Sequence, residues 1–246
     1  MPIIDELLRD DYSFEEAEGI QIKYQSLVNK SSKDNEITNI EQIKTVVGVD
    51  ISYYTKENYE YGIACAVSWN LKQNSKENQF FIKDQIKFPY KPGFLGFREC
   101  KIMAKVISKL PKRPDLIMCD SHGKIHPRRF GEATQLGLAL DISSIGIAKN
   151  PFVGYSDWDK IEKFKGNKSA IWAENPNVIG ETKSNELLGY AICLKNGSKP
   201  VFISTGYCIT LDAALKICLE STKEHRQPEP LYLADKLSRE EINNYI

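Results

Sequence analysis

The chain has 246 residues, 41% hydrophobic and 27% charged, with a formal net charge of zero. That composition holds enough apolar material for one sizeable core and argues against a disordered chain or a generic polycation that coats nucleic acid. No run approaches the ~18 apolar residues of a membrane helix. The start, Met1-Pro2-Ile3-Ile4-Asp5-Glu6, lacks the basic and apolar stretches of a secretory signal. Six scattered cysteines without a CxxC pair point to a reduced, cytoplasmic protein, with a monomer as the default.

In chain order, apolar positions from Phe14 to Val28 recur near helical spacing and predict an N-terminal helix over about 12–30. The polar linker Ser31-Ser32-Lys33-Asp34-Asn35-Glu36 follows. Residues 1–40 therefore read as a helical arm and linker on a single domain of 1–246, with 236–246 as a C-terminal tail. Thr45 to Ile51 is a continuous apolar run fit for a strand buried on both faces. Strands over 61–70 and 79–88 complete an antiparallel meander. Past the Pro89-Tyr90-Lys91-Pro92-Gly93 turn the period changes. Ile102, Met103, Val106, Ile107 and Leu110 mark a helix face that Pro111 stops.

Strands and helices then alternate: a strand over 116–120, a helix over 133–140 and a strand over 144–149. A hairpin over 188–194 and 200–204 and a helix over 211–219 follow. The expectation is an α/β fold, a mixed central sheet flanked by helices, with antiparallel strands early and parallel ones after. Between Arg98 and Gly131, nine Lys or Arg face three acids. Such a run is ordinarily a solvated face; phosphate contact gains weight only from the acids beside it.

Three acids stand out by position. Asp50 interrupts an apolar strand, Asp120 ends another, and Glu99 shares the core-facing side of the helix with Ile102 and Met103. Each has an ordinary reading: a strand-end acid, a turn former, a favourable charge near a helix N-terminus. Together they place carboxylates from two strands and a helix at one end of a sheet, where open α/β sheets put their sites. Hard oxygen ligands of that kind suit Mg²⁺ or Mn²⁺. Lys149 ends a third apolar strand and faces either solvent or a phosphate. His122 and His126 lack the further ligands of a zinc site.

In this order along the chain, Val47-Gly48-Val49-Asp50-Ile51-Ser52, Phe88 through Glu99, and Asp120 through Gly131 resemble the endonuclease V family. So do Ile145-Gly146-Ile147-Ala148-Lys149, Lys199 through Ser204, and Arg226-Gln227-Pro228-Glu229-Pro230. The resemblance covers about residues 45–236. It implies a ribonuclease H-like fold and a metal-dependent endonuclease. That enzyme would nick DNA, or RNA, at the second phosphodiester bond 3′ of hypoxanthine.

On the same resemblance, Asp50, Glu99 and Asp120 would hold Mg²⁺ or Mn²⁺, and Lys149 would neutralise the phosphate. Pro89, Tyr90, Lys91 and Pro92 would form a wedge that opens the duplex. Gly93, Leu95, Ser121, Gly123, Gly131, Gly146 and Ala148 would line a base pocket, while His126 is a candidate site residue with no assigned role. Three departures from the family pattern stand out. Tyr207 occupies the usual place of a histidine, which raises a binding-only alternative. Ser121 replaces a glycine, and Glu132 stands where an aliphatic residue is usual.

Overall fold

The structure is a computed structural model that describes residues 3–31, 36–175 and 186–246. The linker expected at 31–36 falls largely on 32–35, outside the described residues. Eight strands form one sheet in the order β3-β2-β1-β4-β5-β8-β7-β6. They are β1 (Thr45–Lys56), β2 (Tyr59–Asn70), β3 (Ser75–Gln85), β4 (Leu116–Cys119), β5 (Ser143–Ala148), β6 (Lys168–Trp172), β7 (Leu187–Ile192) and β8 (Val201–Tyr207). Among the described residues five α-helices accompany them: α1 (Phe14–Ser31), α2 (Leu95–Ile107), α3 (Glu132–Leu140), α4 (Leu211–Glu220) and α5 (Glu229–Ile242).

The antiparallel meander β1–β2–β3 and the parallel neighbours β1, β4 and β5 match the expected plan. The far side does not. β8 runs antiparallel to β5, and β7 and β6 continue the antiparallel pairing. The parallel portion is therefore confined to the centre. β6 was not anticipated, because Lys168-Ser169-Ala170-Ile171-Trp172 carries too few apolar residues for a buried run. Among the named strands it pairs with β7 at the sheet's edge, with one further antiparallel bridge from Trp172 to Tyr155, and such a composition is tolerated there.

Alternation along β1 assigns its side chains to the two faces. Val46 packs with Met118, Ile145, Ile203 and the apolar side of α4, and Leu231 of α5 joins that cluster. Val47, Val49 and Ile51 pack instead with Ile102, Met103 and Val106 of α2 and Leu136 of α3. Gly48, Asp50 and Ser52 thus share the face covered by α5, whereas Tyr53 shares the face covered by α2. A Cβ on Gly48 would stand 2.3 Å from the Pro230 carbonyl carbon, so only glycine lets α5 lie this close to the sheet. Further along, Ser52 Oγ meets Ser238 Oγ of α5 at 2.8 Å.

The residues expected to form an arm are packed into the domain. Leu7, Ala17, Ile20 and Tyr24 join Phe88, Phe94, Phe97 and Phe130 in one buried cluster. Gln21 of α1 donates to the Gly93 carbonyl at 2.9 Å, tying the helix to the loop before α2. At the other end, the stretch read as a tail from 236 continues α5 as far as Ile242. All six cysteines are free thiols. No helix among the described residues is long and apolar enough to cross a membrane.

Candidate active site

A cavity of about 520 Å³ opens where β4 and β5 end. Asp50, Leu95, Glu99, Asp120, Lys149 and Asp235 line it together. β1 supplies Asp50 from mid-strand, and the chain leaving β4 supplies Asp120. Lys149 follows the last residue of β5, and α5 supplies Asp235. One carboxylate oxygen from each of Asp50, Asp120 and Asp235 lies within 4.8 Å of the other two. Sequence reasoning missed Asp235, which lies in the charged run Asp235-Lys236-Leu237-Ser238-Arg239-Glu240. The available signal was its place one turn after Leu231, beside Ala234 on the buried side of α5.

Glu99 occupies the other wall. It comes from α2 on the opposite face of the sheet, and the Tyr53 hydroxyl donates to its Oε1. That placement explains why Glu99 lies outside the three-aspartate group. Glu132, the first residue of α3, stands beside Glu99 and is itself only 4% exposed.

The electrostatics follow from acids crowded together, Glu99 buried and Asp50, Asp120 and Asp235 partly buried. Burial raises the Asp50 carboxyl well above its ordinary range, and the charges of Asp120, Asp235 and Glu99 add to the rise. Burial also raises Asp120, against the pull of Lys149. Asp235 goes the other way: burial opposes, but Arg239 and Lys149 outweigh it and hold its carboxyl below the usual value. Lys149 Nζ donates to Asp120 Oδ2, and to Asp235 Oδ2 at 3.1 Å. Desolvation disfavours its charge, yet those two partners raise its pKa and keep it cationic.

The remaining residues divide into two groups. Tyr90, Lys91, Pro92, Gly93, Ser121, His126, Gly131 and Ala148 line the same cavity. Tyr90 stands at its mouth with 69% of its surface exposed. Gly123 and Gly146 do not line it. A Cβ on Gly123 would lie 2.1 Å from the Thr205 carbonyl oxygen, and one on Gly146 would lie 2.4 Å from Gly123 N. Their smallness lets the turn after β4 seat against β5 and β8, and does not enlarge the pocket.

His122 and His126 flank Phe152 with ring centroids 5.5 and 5.7 Å away. Burial lowers both imidazoles to about 4, so both are neutral near pH 7. His126 Nε2 is engaged with the Gly93 carbonyl at 3.0 Å, and its Nδ1 accepts from Arg128 N at 3.2 Å. With both nitrogens engaged, His126 is a wall residue and not a ligand. Tyr207 lies in the cluster of Tyr24 and Phe97, and its hydroxyl donates to Asp141 Oδ1 at 3.1 Å. It contributes nothing to the cavity wall.

The basic stretch after Arg98 is largely neutralised by acids from elsewhere. Arg98 pairs with Glu60, Lys101 with Asp10, Lys105 with Asp84, Arg128 with Glu18, and both Lys124 and Arg129 with Glu186. Lys149 and Arg239 bring positive charge to the cavity itself.

The family model of endonuclease V matches residues 25–236. The chain belongs to the endonuclease V family. Among curated relatives, endonuclease V of Dictyoglomus turgidum is 38% identical over 162 residues, covering 66% of this chain and 66% of that protein. Endonuclease V of Clostridium acetobutylicum is 32% identical over 220 residues, 89% of each chain. Among solved structures, Ciona intestinalis endonuclease V in complex with a 24mer DNA containing an inosine followed by a ribo-adenosine aligns with a TM-score of 0.80. That alignment is 29% identical and covers 94% of this chain and 98% of that one. The family is one of endonucleases, and its fold is the α/β, ribonuclease H-like plan that the sequence led us to expect.

Proposed function

We propose that this endonuclease V family member is a divalent-metal-dependent nuclease that nicks DNA, and RNA if the 2′-hydroxyls are accommodated, at the second phosphodiester bond 3′ of hypoxanthine. The observation that carries the reading is the convergence of Asp50, Asp120 and Asp235 beside Lys149 on one cavity. The Ciona relative's complex with inosine-containing DNA supports the choice of base.

The donor set fits a hard cation. Three carboxylates meet within 4.8 Å, and burial with mutual repulsion disfavours the ionised forms of Asp50 and Asp120 until positive charge arrives, while Arg239 and Lys149 already favour that of Asp235. Asp50, Asp120 and Asp235 would hold Mg²⁺ or Mn²⁺, with Glu99 on the adjoining wall. When bound, the ion supplies Lewis acidity and charge neutralisation at the scissile phosphate.

The chain's own groups do the rest. Lys149, held cationic by Asp120 and Asp235, places a positive charge where the phosphate gains negative charge in the transition state. Tyr90, exposed on a loop stiffened by Pro89 and Pro92, stacks in place of the base that leaves the helix. His122, His126 and Phe152 give that base an apolar, uncharged wall. In-line attack of water on phosphorus breaks the P–O3′ bond and leaves 3′-hydroxyl and 5′-phosphate ends.

The test is a nicking assay with Mg²⁺ or Mn²⁺ on matched DNA and RNA strands carrying one inosine. Scission at the second bond 3′ of the inosine, abolished in Asp50→Ala and Asp120→Ala, is expected. Undiminished nicking by either variant, or none by the unaltered protein, overturns the reading. The faster polymer identifies the preferred substrate.

A further inference from the structure

The stretch Arg226-Gln227-Pro228-Glu229-Pro230 lines no part of the cavity, yet it meets the site from behind. Arg226 stands on the loop between α4 and α5, three residues before α5 begins. Its Nη2 donates to the carbonyls of Lys149 and Pro200, at 2.6 Å each, and its Nε donates to the Lys199 carbonyl at 3.1 Å. The three carbonyls lie where the β5–β8 ladder stops. Its last registered pair is Ala148 with Phe202. Beyond that pair Pro200 has no N–H to donate, so the ladder cannot continue through it. The Arg226 guanidinium, whose N–H groups sit in a fixed fork, takes over and holds the exit of β5 against the entry of β8.

Lys149 is therefore clamped by its backbone, while its side chain is the cation of the site. Nζ rides on a flexible four-carbon stem, so its position depends on where the backbone is held and on its two partners, Asp120 and Asp235. The same loop reaches both partners. Gln227, buried, stands beside Asp120 and favours its ionised form. Glu229, the first residue of α5, accepts from Lys223 N at 3.2 Å and Glu224 N at 3.0 Å, which ties the loop to the helix that carries Asp235.

Resting on the proposed function above, we infer that Arg226 is a positioning residue for nicking: by clamping the Lys149 carbonyl to the entry of β8, it sets where the Lys149 ammonium stands against the scissile phosphate. It acts through Lys149 and not through contact with the substrate.

The experiment measures two quantities on one inosine-containing strand: the single-turnover nicking rate with Mg²⁺ at saturating protein, and the Kd without metal. Arg226→Ala should slow nicking by about 10- to 100-fold, the scale of displacing a reacting group by about 1 Å. Its Kd should stay close to that of the unaltered protein. Arg226→Lys keeps the charge near Asp120 but lacks the fork, and should recover little of the rate. On a Lys149→Ala background, followed long enough to measure its residual rate, Arg226→Ala should cost little more.

Losses that multiply in the double variant overturn the inference, because Arg226 would then act apart from Lys149. So does Arg226→Lys at full rate, which would leave only a charge effect, and so does a loss of binding as large as the loss of rate. Should Arg226→Ala fail to fold, Arg226→Lys, alone and on Lys149→Ala, carries the same comparison. Where Lys149→Ala has no measurable rate, the split between rate and binding decides together with Arg226→Lys. An unaltered protein that does not nick removes the proposed function, and the inference with it; that failure is distinct because it needs no variant.

Discussion

Gly48 of β1 and Pro230 of α5 meet backbone to backbone: a Cβ on Gly48 would lie 2.3 Å from both the carbonyl carbon and the oxygen of Pro230. The contact fixes how closely α5 lies over the sheet. It thereby sets where Asp235, later on the same helix, meets Asp50, two residues after Gly48 on the same face of β1. Gly48→Ala should push α5 outward and weaken the three-carboxylate site. We expect a stability loss of about 1–3 kcal/mol, as for other overpacked cores. Affinity for Mn²⁺, read by calorimetry, should fall as well. Unchanged Mn²⁺ affinity in a folded Gly48→Ala protein would show that α5 does not set the position of Asp235.

The acid cluster makes stability depend on pH in an unusual direction. Folding raises the carboxyl pKa values of Asp50, Glu99, Asp120 and Glu132, burial being the first cause in each case. The native state therefore holds more protons than the unfolded chain once pH exceeds the ordinary carboxylate range of about 4. The stability these groups lend is present below that range and declines as pH rises through the raised values. Asp235, whose value is lowered, works against the trend, and so do His122 and His126, lowered to about 4, until pH passes the ordinary imidazole range near 6.5. In the metal-free protein Tm should therefore fall as pH rises from about 7 to about 9, where the histidines no longer contribute, and Asp50→Asn should flatten the fall. Added Mg²⁺ binds the ionised form and should raise Tm more at the upper end. At about 100-fold excess over Kd the gain is ~2.7 kcal/mol, or roughly 5–10 °C for a domain of this length. A metal-free Tm that rises steadily over that span would refute the argument.

Asp235→Asn keeps the size of the side chain and removes one charge from the site. Lys149 then loses one of its two carboxylate partners, and the metal loses an anionic ligand. Nicking should fall by about 10²-fold or more, the usual scale for losing a group that organises transition-state charge. The variant should still fold, since asparagine keeps the side chain's shape and can still accept from the exposed Arg239 guanidinium. Mn²⁺ affinity measured alongside separates a metal-holding role from a purely electrostatic one. Full activity in the variant would remove Asp235 from the site.

Asp50, Glu99 and Asp120 were legible because each stands in an apolar context where a charge needs a reason. Lys149 was visible for the same cause, at the end of Ile145-Gly146-Ile147-Ala148. Asp235 sits among Lys236, Arg239, Glu240 and Glu241, so local composition hides it, and only the turn-by-turn spacing from Leu231 places it inward. The antiparallel meander β1–β2–β3 followed from short connections and buried apolar runs. The direction of β8 did not, since strand polarity leaves no mark on hydrophobic pattern. The glycines illustrate a different gap. Gly123 and Gly146 read as room for a base, yet in the fold they are points where one backbone seats against another. Only the neighbours decide between those uses. Tyr207 looked like a substituted catalytic position, whereas its side chain packs beside Phe97 and bonds to Asp141.

Tyr90 gives a prediction that separates substrate opening from chemistry. With 69% of its surface exposed, the ring contributes little to folding, and Tyr90→Ala should melt within a degree or two of the unaltered protein. Its proposed work is to stack against bases as the lesion leaves the helix, an interaction worth about 1–3 kcal/mol. Nicking of an inosine in duplex DNA should therefore drop by about 10- to 100-fold. The same inosine in a single strand needs no opening and should be affected much less. Tyr90→Phe keeps the stacking face and should restore most of the duplex activity. Equal losses on duplex and single strand would assign Tyr90 to general binding at the cavity mouth instead.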